Sequence, residues 1–117
     1  MKSFAGLLLL LCVFSAHAAD AKLKHDILMC ESSNRHYDFH SKRVRYGDDG
    51  VSRGIAQFRR ETFYEQAEAA RRDKRWPFGK PEWFNEKQQL WLFDYMLDKG
   101  LGDRWTCYRK IKKGEWR

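Results

Sequence analysis

Apolar residues recur at helical spacing near the start and in the middle of the chain. Leu23, Ile27 and Cys30 lie three or four positions apart, which predicts a first helix from about Ala21 to Ser33. A second helix is predicted over about residues 60–75, where an apolar stripe opposes a charged face. Its stripe consists of Phe63, Tyr64, Ala67 and Ala70.

Both prolines of the chain lie in the segment "RWPFGKPEWF", which follows the second apolar stripe. Because proline breaks a helix interior, this segment separates the second helix from a third. The third helix is predicted to begin at Pro81 or Glu82 and to end near Lys99, with Gly100 as its stop signal. Its inward positions are Phe84, Leu90, Trp91, Phe93, Tyr95 and Leu97.

Residues 44–57 read "VRYGDDGVSRGIAQ" and lack a helical period. A glycine-bounded acidic turn joins two short stretches there, which predicts a small hairpin or an irregular lobe. The sequence therefore predicts an α+β, mainly α domain with one small extended lobe. After Gly102, the stretch "DRWTCYRKI" is predicted to return to the first helix.

The first 18 residues have the pattern of a secretory signal peptide. Lys2 precedes an apolar block, and small residues at positions 16 and 18 provide a cleavage site after Ala18. An uncleaved membrane anchor and a lipoprotein attached through Cys12 are the alternatives. The block is short for a bilayer span, and leucines rather than small residues precede Cys12. We expect one periplasmic or secreted domain, residues 19–117, without a stable membrane anchor.

Removal of the leader leaves Cys30 and Cys107 as the remaining cysteines. Two cysteines in an oxidising compartment allow one pairing, so a disulfide between them is predicted. A metal site is the poorer alternative, because two thiolates without a clustered histidine pair rarely complete a coordination shell. No metal and no cofactor is expected.

The formal net charge is +7, and the leader contributes Lys2 but no acid, so the mature domain stays basic. Outside the cytoplasm such a charge favours a cell-wall polymer or a membrane surface, although it also serves solubility alone. No nucleic-acid-binding motif is present, and the arginines do not follow one stripe. We expect no nucleic-acid partner.

Glu31 lies where the first helix is predicted to give way to the extended lobe, which is where a cleft would form. The end of a helix disfavours negative charge, so this position would help to keep a carboxyl group protonated. The alternative interpretation is an ordinary surface glutamate.

Three stretches carry a family resemblance: "CESSN", "DGVSRGIAQF" and "TFYEQA". In their order and spacing they resemble the lytic transglycosylases of the lysozyme superfamily, in particular the short, secreted, disulfide-bearing type. The family pattern is Glu-Ser followed by Ser-x-Gly-x-x-Gln. It falls on Glu31, Ser32, Ser52, Gly54 and Gln57.

The resemblance implies a lysozyme-like fold and a single catalytic glutamate. Glu31 would protonate the glycosidic oxygen between N-acetylmuramic acid and N-acetylglucosamine in peptidoglycan, and would then act as a base on the C6 hydroxyl of the same sugar. The product would carry a 1,6-anhydromuramyl end. Short family members often serve a secretion, pilus or conjugation apparatus, which would be a partner.

The chain departs from the family pattern at one place. Larger members carry an Ala-Tyr-Asn motif on a later helix, whereas this chain has "DYMLDKGLG" there. Tyr95 or Tyr108 would then supply the aromatic hydroxyl that the family places near the glutamate.

A second carboxylate would favour hydrolysis instead, and Asp48 and Asp49 are the acids of the small lobe that could provide it. Their "GDDG" setting also fits a solvated turn. A hydrolytic muramidase and an inactive peptidoglycan-binding domain are therefore kept as alternatives, and a cationic membrane-active protein ranks last.

The remaining candidates have two interpretations each. Gly54 would let the backbone approach a sugar. Gln57 would bind an acetamido group, orient Glu31, or tie the lobe to a helix as a buried amide. Ser32 would orient the acid or only satisfy backbone groups. Tyr46, Trp76 and Trp83 are candidates for the cleft, Trp91 and Trp105 for the core, and His36 and His40 for a solvated loop.

Overall fold

The computed structural model describes residues 21–116, and the predicted leader lies outside them. Helix α1 covers residues 21–32 of the described chain. It ends where Ser33 and Asn34 take left-handed backbone conformations, with φ of 56° and 57°. The N–H of Asn34 donates to the carbonyl of Leu28 at 3.1 Å, which closes the last turn. Glu31 therefore lies in the final turn of α1, as the sequence predicts.

Helix α2 spans Arg60–Arg72 and helix α3 spans Glu86–Asp98. Both helices are shorter than predicted, because residues other than the two prolines determine where α2 ends and where α3 begins. Lys74 has a φ of 59° just after α2, and the side chain of Asn85 caps α3 by accepting the N–H of Gln88. Phe84 consequently precedes α3 and is 49% exposed, so its predicted inward position on a helix is wrong.

The chain then returns to α1, as the sequence predicts. Gly100 has a φ of 79° and ends α3. A 3₁₀ turn, Gly102–Arg104, leads into helix α4, Thr106–Lys112. Cys30 and Cys107 are bonded, with their Cα atoms 5.9 Å apart. The predicted disulfide is confirmed, and it joins α1 to α4 next to Glu31.

The connection between α1 and α2, called segment 33–59 below, consists of turns and isolated antiparallel bridges. These bridges pair Tyr37 with Val44, Tyr46 with Arg53, and Arg53 with Phe58. Within residues 21–116 no continuous strand is assigned, so the described fold is mainly helical.

The core lies between the helices and the last residues of segment 33–59. Phe58, Phe93 and Trp105 meet edge to face, with ring centroids 5.0 to 5.4 Å apart. The indole N–H of Trp105 donates to the carbonyl of Ala56 at 2.7 Å. The predicted core position of Trp105 is confirmed. Its indole also fastens residues 54–58, called the 54–58 turn below, to the core.

Gln89, which is fully buried on α3, fastens the same turn to the helices. Its Oε1 accepts the N–H of Ala56 at 3.1 Å, and its Nε2 donates to the carbonyls of Arg53 and Trp83. A Cβ atom on Gly54 would lie 2.5 Å from this amide, and Gly54 has a φ of 86°. Glycine is therefore required at position 54 for packing against Gln89.

Candidate active site

Glu31 is held by the backbone of the opposite helix. The disulfide joins the preceding residue, Cys30, to Cys107 at the start of α4. The N–H of Cys107 therefore reaches Glu31 and donates to its Oε2 at 3.1 Å. One carboxyl oxygen is thus fixed by a backbone donor.

The pKa of Glu31 is raised above its ordinary value of 4.5, and burial is the largest cause. The hydrogen bond from Cys107 N–H opposes this shift. The charge of Asp49 raises the pKa further, while Lys110 and Arg109 lower it. The end of α1 acts in the same direction as burial, because the helix dipole disfavours an anion there. Glu31 thus stays protonated to a higher pH than an exposed glutamate.

Two adjoining cavities, of about 350 and 310 Å³, lie beside Glu31. Together we call them the Glu31 cleft. Five residues line both cavities: Glu31, Asp49, Ser52, Gln57 and Thr106. The cleft therefore runs between the end of α1, segment 33–59 and the start of α4, and Glu31 borders both of its cavities.

Asp49 lies in the wall of this cleft, but its oxygens serve the turn that contains it. Its Oδ1 accepts the N–H groups of Val51 and Ser52 at 2.9 and 2.8 Å. Its Oδ2 accepts the Ser52 hydroxyl at 2.7 Å and lies 3.7 Å from a guanidinium nitrogen of Arg59. The Ser52 bonds, more than Arg59, lower the pKa of Asp49 to about 2. The two cleft carboxyls thus shift in opposite directions. Asp48 is exposed and also lines the cleft.

Ser52 and Gln57 reach the cleft from the same turn of segment 33–59. The Ser52 hydroxyl is committed to Asp49 as a donor and has its lone pairs left for a ligand. Gln57 has a φ of 52°, and its Nε2 donates to the carbonyl of Gly54 at 2.9 Å. Its Oε1 lies where a Cβ of Gly47 would stand, so Gly47 makes room for this amide. The Gln57 side chain therefore bonds within its own turn, whereas the Gln89 side chain bonds this turn to α3.

Ser32 and Gly54 stand behind the cleft rather than in its walls. Ser32 is buried, and its hydroxyl donates to the carbonyl of Ile55 at 2.7 Å. This bond holds the 54–58 turn against α1 next to Glu31, so Ser32 supports the cleft without lining it. Gly54 faces Gln89, so its small size serves internal packing rather than the approach of a sugar.

Of the three candidate tyrosines, Tyr46 lines the Glu31 cleft. Tyr95 is buried on α3, stacks on Trp91 and donates to Asp73 at 2.6 Å. Tyr108 packs against Gly102, where a Cβ would lie 2.7 Å from its ring. The structure places neither Tyr95 nor Tyr108 in the cleft walls, because both rings fill space between helices.

The expectations for Trp76, Trp83 and His36 need correction, whereas His40 is exposed as expected. Trp76 bonds Gly79 and packs on Trp91, whereas Trp83 donates to the carbonyl of Phe58, so neither lines the cleft. His36 is 3% exposed, and its expected solvated position is wrong. The N–H of Ile55 donates to its Nδ1 at 3.1 Å, so Nε2 carries the hydrogen and donates to the carbonyl of Phe84.

Sequence reasoning missed the basic walls of the cleft. Three arginines, Arg59, Arg104 and Arg109, line one cavity, and Arg45 and Lys110 line the other. Thr106 also borders both cavities beside Glu31. The predicted disulfide was the available signal, because it brings the residues that flank Cys107 on α4 to the glutamate.

No protein-family model, no curated protein and no solved structure matches this chain. Within residues 21–116 there is no cluster of three or more side chains suited to a metal ion. Over the same residues no helix is long and apolar enough to cross a bilayer. The residues and geometry of the Glu31 cleft, together with the sequence resemblance, are therefore the available guides to its chemistry.

Proposed function

We propose that this protein is a secreted or periplasmic peptidoglycan lytic transglycosylase with a lysozyme-like fold. One observation carries the proposal: an acid with a raised pKa lies in an open cleft and is oriented by a backbone N–H. The basic residues around the cleft suit a glycan that bears carboxylate groups. The sequence resemblance supports the same activity.

In the proposed reaction Glu31 transfers its proton to the glycosidic oxygen as the bond from that oxygen to C1 of muramic acid breaks. The acetamido oxygen of the same sugar bonds to C1 and balances the developing charge. The Glu31 carboxylate then takes the proton of the C6 hydroxyl, whose oxygen displaces the acetamido oxygen. Glu31 is protonated again, no water is consumed, and a 1,6-anhydro end forms.

The protein groups around Glu31 suit the two halves of this cycle. Burial favours the protonated acid before cleavage, whereas the N–H of Cys107 and the positive charge of Lys110 stabilise the carboxylate afterwards. Gln57 reaches the cleft with an amide of the kind that binds an acetamido group.

A hydrolytic muramidase is the second candidate, and Asp49 is the observation that favours it. Its carboxylate lies in the same cleft as Glu31, and the two pKa values shift in opposite directions, as in paired catalytic acids. Against this, a carboxylate with a pKa of about 2 is a weak base towards water, and the turn occupies its oxygens. We therefore favour the single-glutamate mechanism.

The test is Glu31→Gln, which keeps the side-chain shape but removes the transferable proton. Release of fragments from purified peptidoglycan should fall by at least about a hundredfold, because general acid catalysis is lost. Glu61→Gln, at an exposed glutamate in the first turn of α2, is the matched control and should keep full activity. A folded Glu31→Gln protein with near-normal turnover would refute the assignment. If neither the wild-type protein nor Glu61→Gln released fragments, the alternative of an inactive peptidoglycan-binding domain would be favoured.

The pH dependence of cleavage and the chemical structure of its products are two further tests of the proposal. Since Glu31 must start protonated and its pKa is raised, wild-type activity should fall as pH rises through that pKa. Mass spectrometry should find 1,6-anhydromuramyl ends without heavy oxygen when cleavage takes place in labelled water. Reducing ends that contain heavy oxygen would establish the muramidase instead.

A further inference from the structure

A second groove adjoins the Glu31 cleft. Tyr46 lines the cleft and also a neighbouring cavity of about 370 Å³. We call this cavity the aromatic groove. Its walls present three aromatic rings, Tyr37, Tyr46 and Phe84, and three cations, Lys42, Arg43 and Arg53. No carboxylate is among the described residues that line it.

The three aromatic rings are exposed to an extent that internal packing does not require. The exposed fractions are 53% for Tyr37, 61% for Tyr46 and 49% for Phe84. Single exposed aromatics are common at protein surfaces, but three around one concave surface form a patch. An exposed patch of this kind marks a binding surface, since aromatic rings supply large contact area at a low entropic cost.

Buried bonds hold the groove in shape. His36 donates to the carbonyl of Phe84 and accepts the N–H of Ile55, so it fastens the backbone beside Tyr37 to the backbone of Phe84. The guanidinium of Arg53 lies 3.2 Å from the ring centre of Tyr46 and covers one face of that ring. The ring of Tyr46 and the backbone that carries Tyr37 and Phe84 are therefore positioned before a ligand arrives, which lowers the cost of binding.

The chemistry of the groove fits a carbohydrate with carboxylate groups. Flat apolar faces of pyranose rings stack on aromatic side chains, and the cations suit the carboxylates of the strand, which lie on the stem peptides or, where these are absent, on the lactyl groups of muramic acid. A nucleic acid shares both kinds of contact, but continuity with the cleft through Tyr46 favours the glycan strand itself. Beyond Phe84 the next hollow is lined by two carboxylates, Glu82 and Glu86, as well as the cation Lys87, so the surface without carboxylates ends there.

We propose that the aromatic groove binds the part of an anionic glycan strand that extends past Tyr46 from the sugars held at Glu31. This inference rests on the proposed function for its substrate, but binding to the groove is measurable without cleavage. The protein should accordingly prefer long strands to short ones, with Tyr37, Phe84 and Arg43 contributing to the preference.

The first test uses the double variant Tyr37→Ala/Phe84→Ala and peptide-free glycan strands of many disaccharides. KM for these strands should rise about tenfold with kcat unchanged, since each ring is a contact anchor outside the reacting centre. Cleavage of an oligomer of two disaccharides should be unaffected. Phe39→Ala is the matched control, because Phe39 is 63% exposed but does not line the groove. Equal KM values for wild type and double variant on long strands would overturn the proposal.

The second test separates this inference from the proposed activity. Binding of a fluorescent strand is measured on the Glu31→Gln background, so no cleavage is needed. The double variant should weaken binding about tenfold, and Arg43→Gln should weaken it for peptidoglycan strands but not for uncharged chitin oligomers. If wild type cleaves but the groove variants bind normally, the groove inference alone fails. If wild type never cleaves but the groove variants lose binding, the proposed activity alone fails.

An oligothymidylate competitor tests the other occupant. At physiological salt it should leave the bound glycan strand in place. Displacement of the strand by equimolar oligothymidylate, lost in the Tyr37→Ala/Phe84→Ala double variant, would identify the groove as a single-stranded nucleic-acid site and overturn the glycan assignment.

Discussion

Helices α1–α4 and segment 33–59 are fixed in place by different interactions. The helices bury apolar side chains such as Ile27, Phe63 and Leu92, which have almost no exposed surface. Segment 33–59 inserts Ile55, Ala56 and Phe58 into that core, and elsewhere it depends on polar side chains that bind its backbone. The Glu31 cleft lies between the two regions, so its geometry depends on both kinds of interaction.

The polar contacts are few, and each satisfies several backbone groups. Gln89 binds three of them, Asp49 binds two, and His36 bonds two. Buried backbone groups without a partner are costly, so a single side chain of this kind determines the path of a whole turn. Removing one should disturb segment 33–59 selectively, whereas the loss of an apolar core side chain that both regions contact should disturb both.

The largest effect is expected from the double variant Cys30→Ala/Cys107→Ala. The bond closes a long loop across both regions, and its loss should lower the free energy of unfolding by about 4 kcal/mol on the chain-entropy model. The backbone N–H at position 107 is kept, but without the crosslink α4 is no longer fastened to α1, so this N–H is no longer fixed beside Glu31 and activity should fall with stability. Denaturant unfolding and fragment release measure the two effects. Two free thiols in the denatured, unreduced wild-type protein would contradict the bond itself.

An intermediate effect is expected from Gln89→Leu. Leucine fills a similar volume but leaves the N–H of Ala56 and two carbonyls without their partner, which should cost about 3 kcal/mol. Hydrogen exchange should accelerate at Ala56 while α3 stays protected. Activity should fall because the 54–58 turn carries Gln57 into the cleft.

Gln88→Leu is the matched control for Gln89→Leu. Gln88 is also a buried amide on α3, but it binds Glu82 and Lys80 in the connection between α2 and α3. It should lower stability without faster exchange at Ala56. If both variants accelerated exchange at Ala56 equally, segment 33–59 would not be fastened independently of the helices.

The same difference explains how much of the structure the sequence predicts. Apolar periodicity predicts α1, α2 and α3, because burying one face of a helix leaves a repeating pattern. A tether such as Gln89 or His36 is one polar residue whose partners are distant in sequence, so no pattern announces it. Helices α2 and α3 are shorter than the apolar pattern predicts, because Lys74 ends α2 through its backbone conformation and Asn85 begins α3 through capping.

The candidate site was predictable to the extent that a crosslink fixes it. The bond between Cys30 and Cys107 places the start of α4 beside Glu31. The pairing of these two cysteines therefore predicts which part of the chain faces the carboxyl group. The placement of Tyr95 was not predictable, because an aromatic residue at a buried helical position can face the core or a cleft. The family resemblance predicts the catalytic glutamate and the turn opposite it. It does not predict the cationic walls, because these depend on which face of α4 packs against α1.

The smallest effect is expected from Asp49→Asn. Asp49 is exposed, and solvent weakens its ion pair with Arg59, so the loss at neutral pH should be about 1 kcal/mol or less. Folding lowers its pKa from an ordinary 3.8 to about 2. The stability that this carboxylate provides is therefore present above about pH 4 and is lost as pH falls towards 2.

Asp49→Asn should accordingly lose part of the acid sensitivity between pH 4 and 2, while Asp48→Asn, at the exposed neighbour, should behave as wild type. Melting temperatures across this pH range measure the difference. Most activity should survive in Asp49→Asn, because the turn retains its backbone and, in the proposed mechanism, Glu31 completes the reaction alone. If the folded Asp49→Asn protein were inactive at neutral pH, Asp49 would be a catalytic residue rather than a residue of the turn, and hydrolysis through paired carboxylates would replace the single-glutamate mechanism.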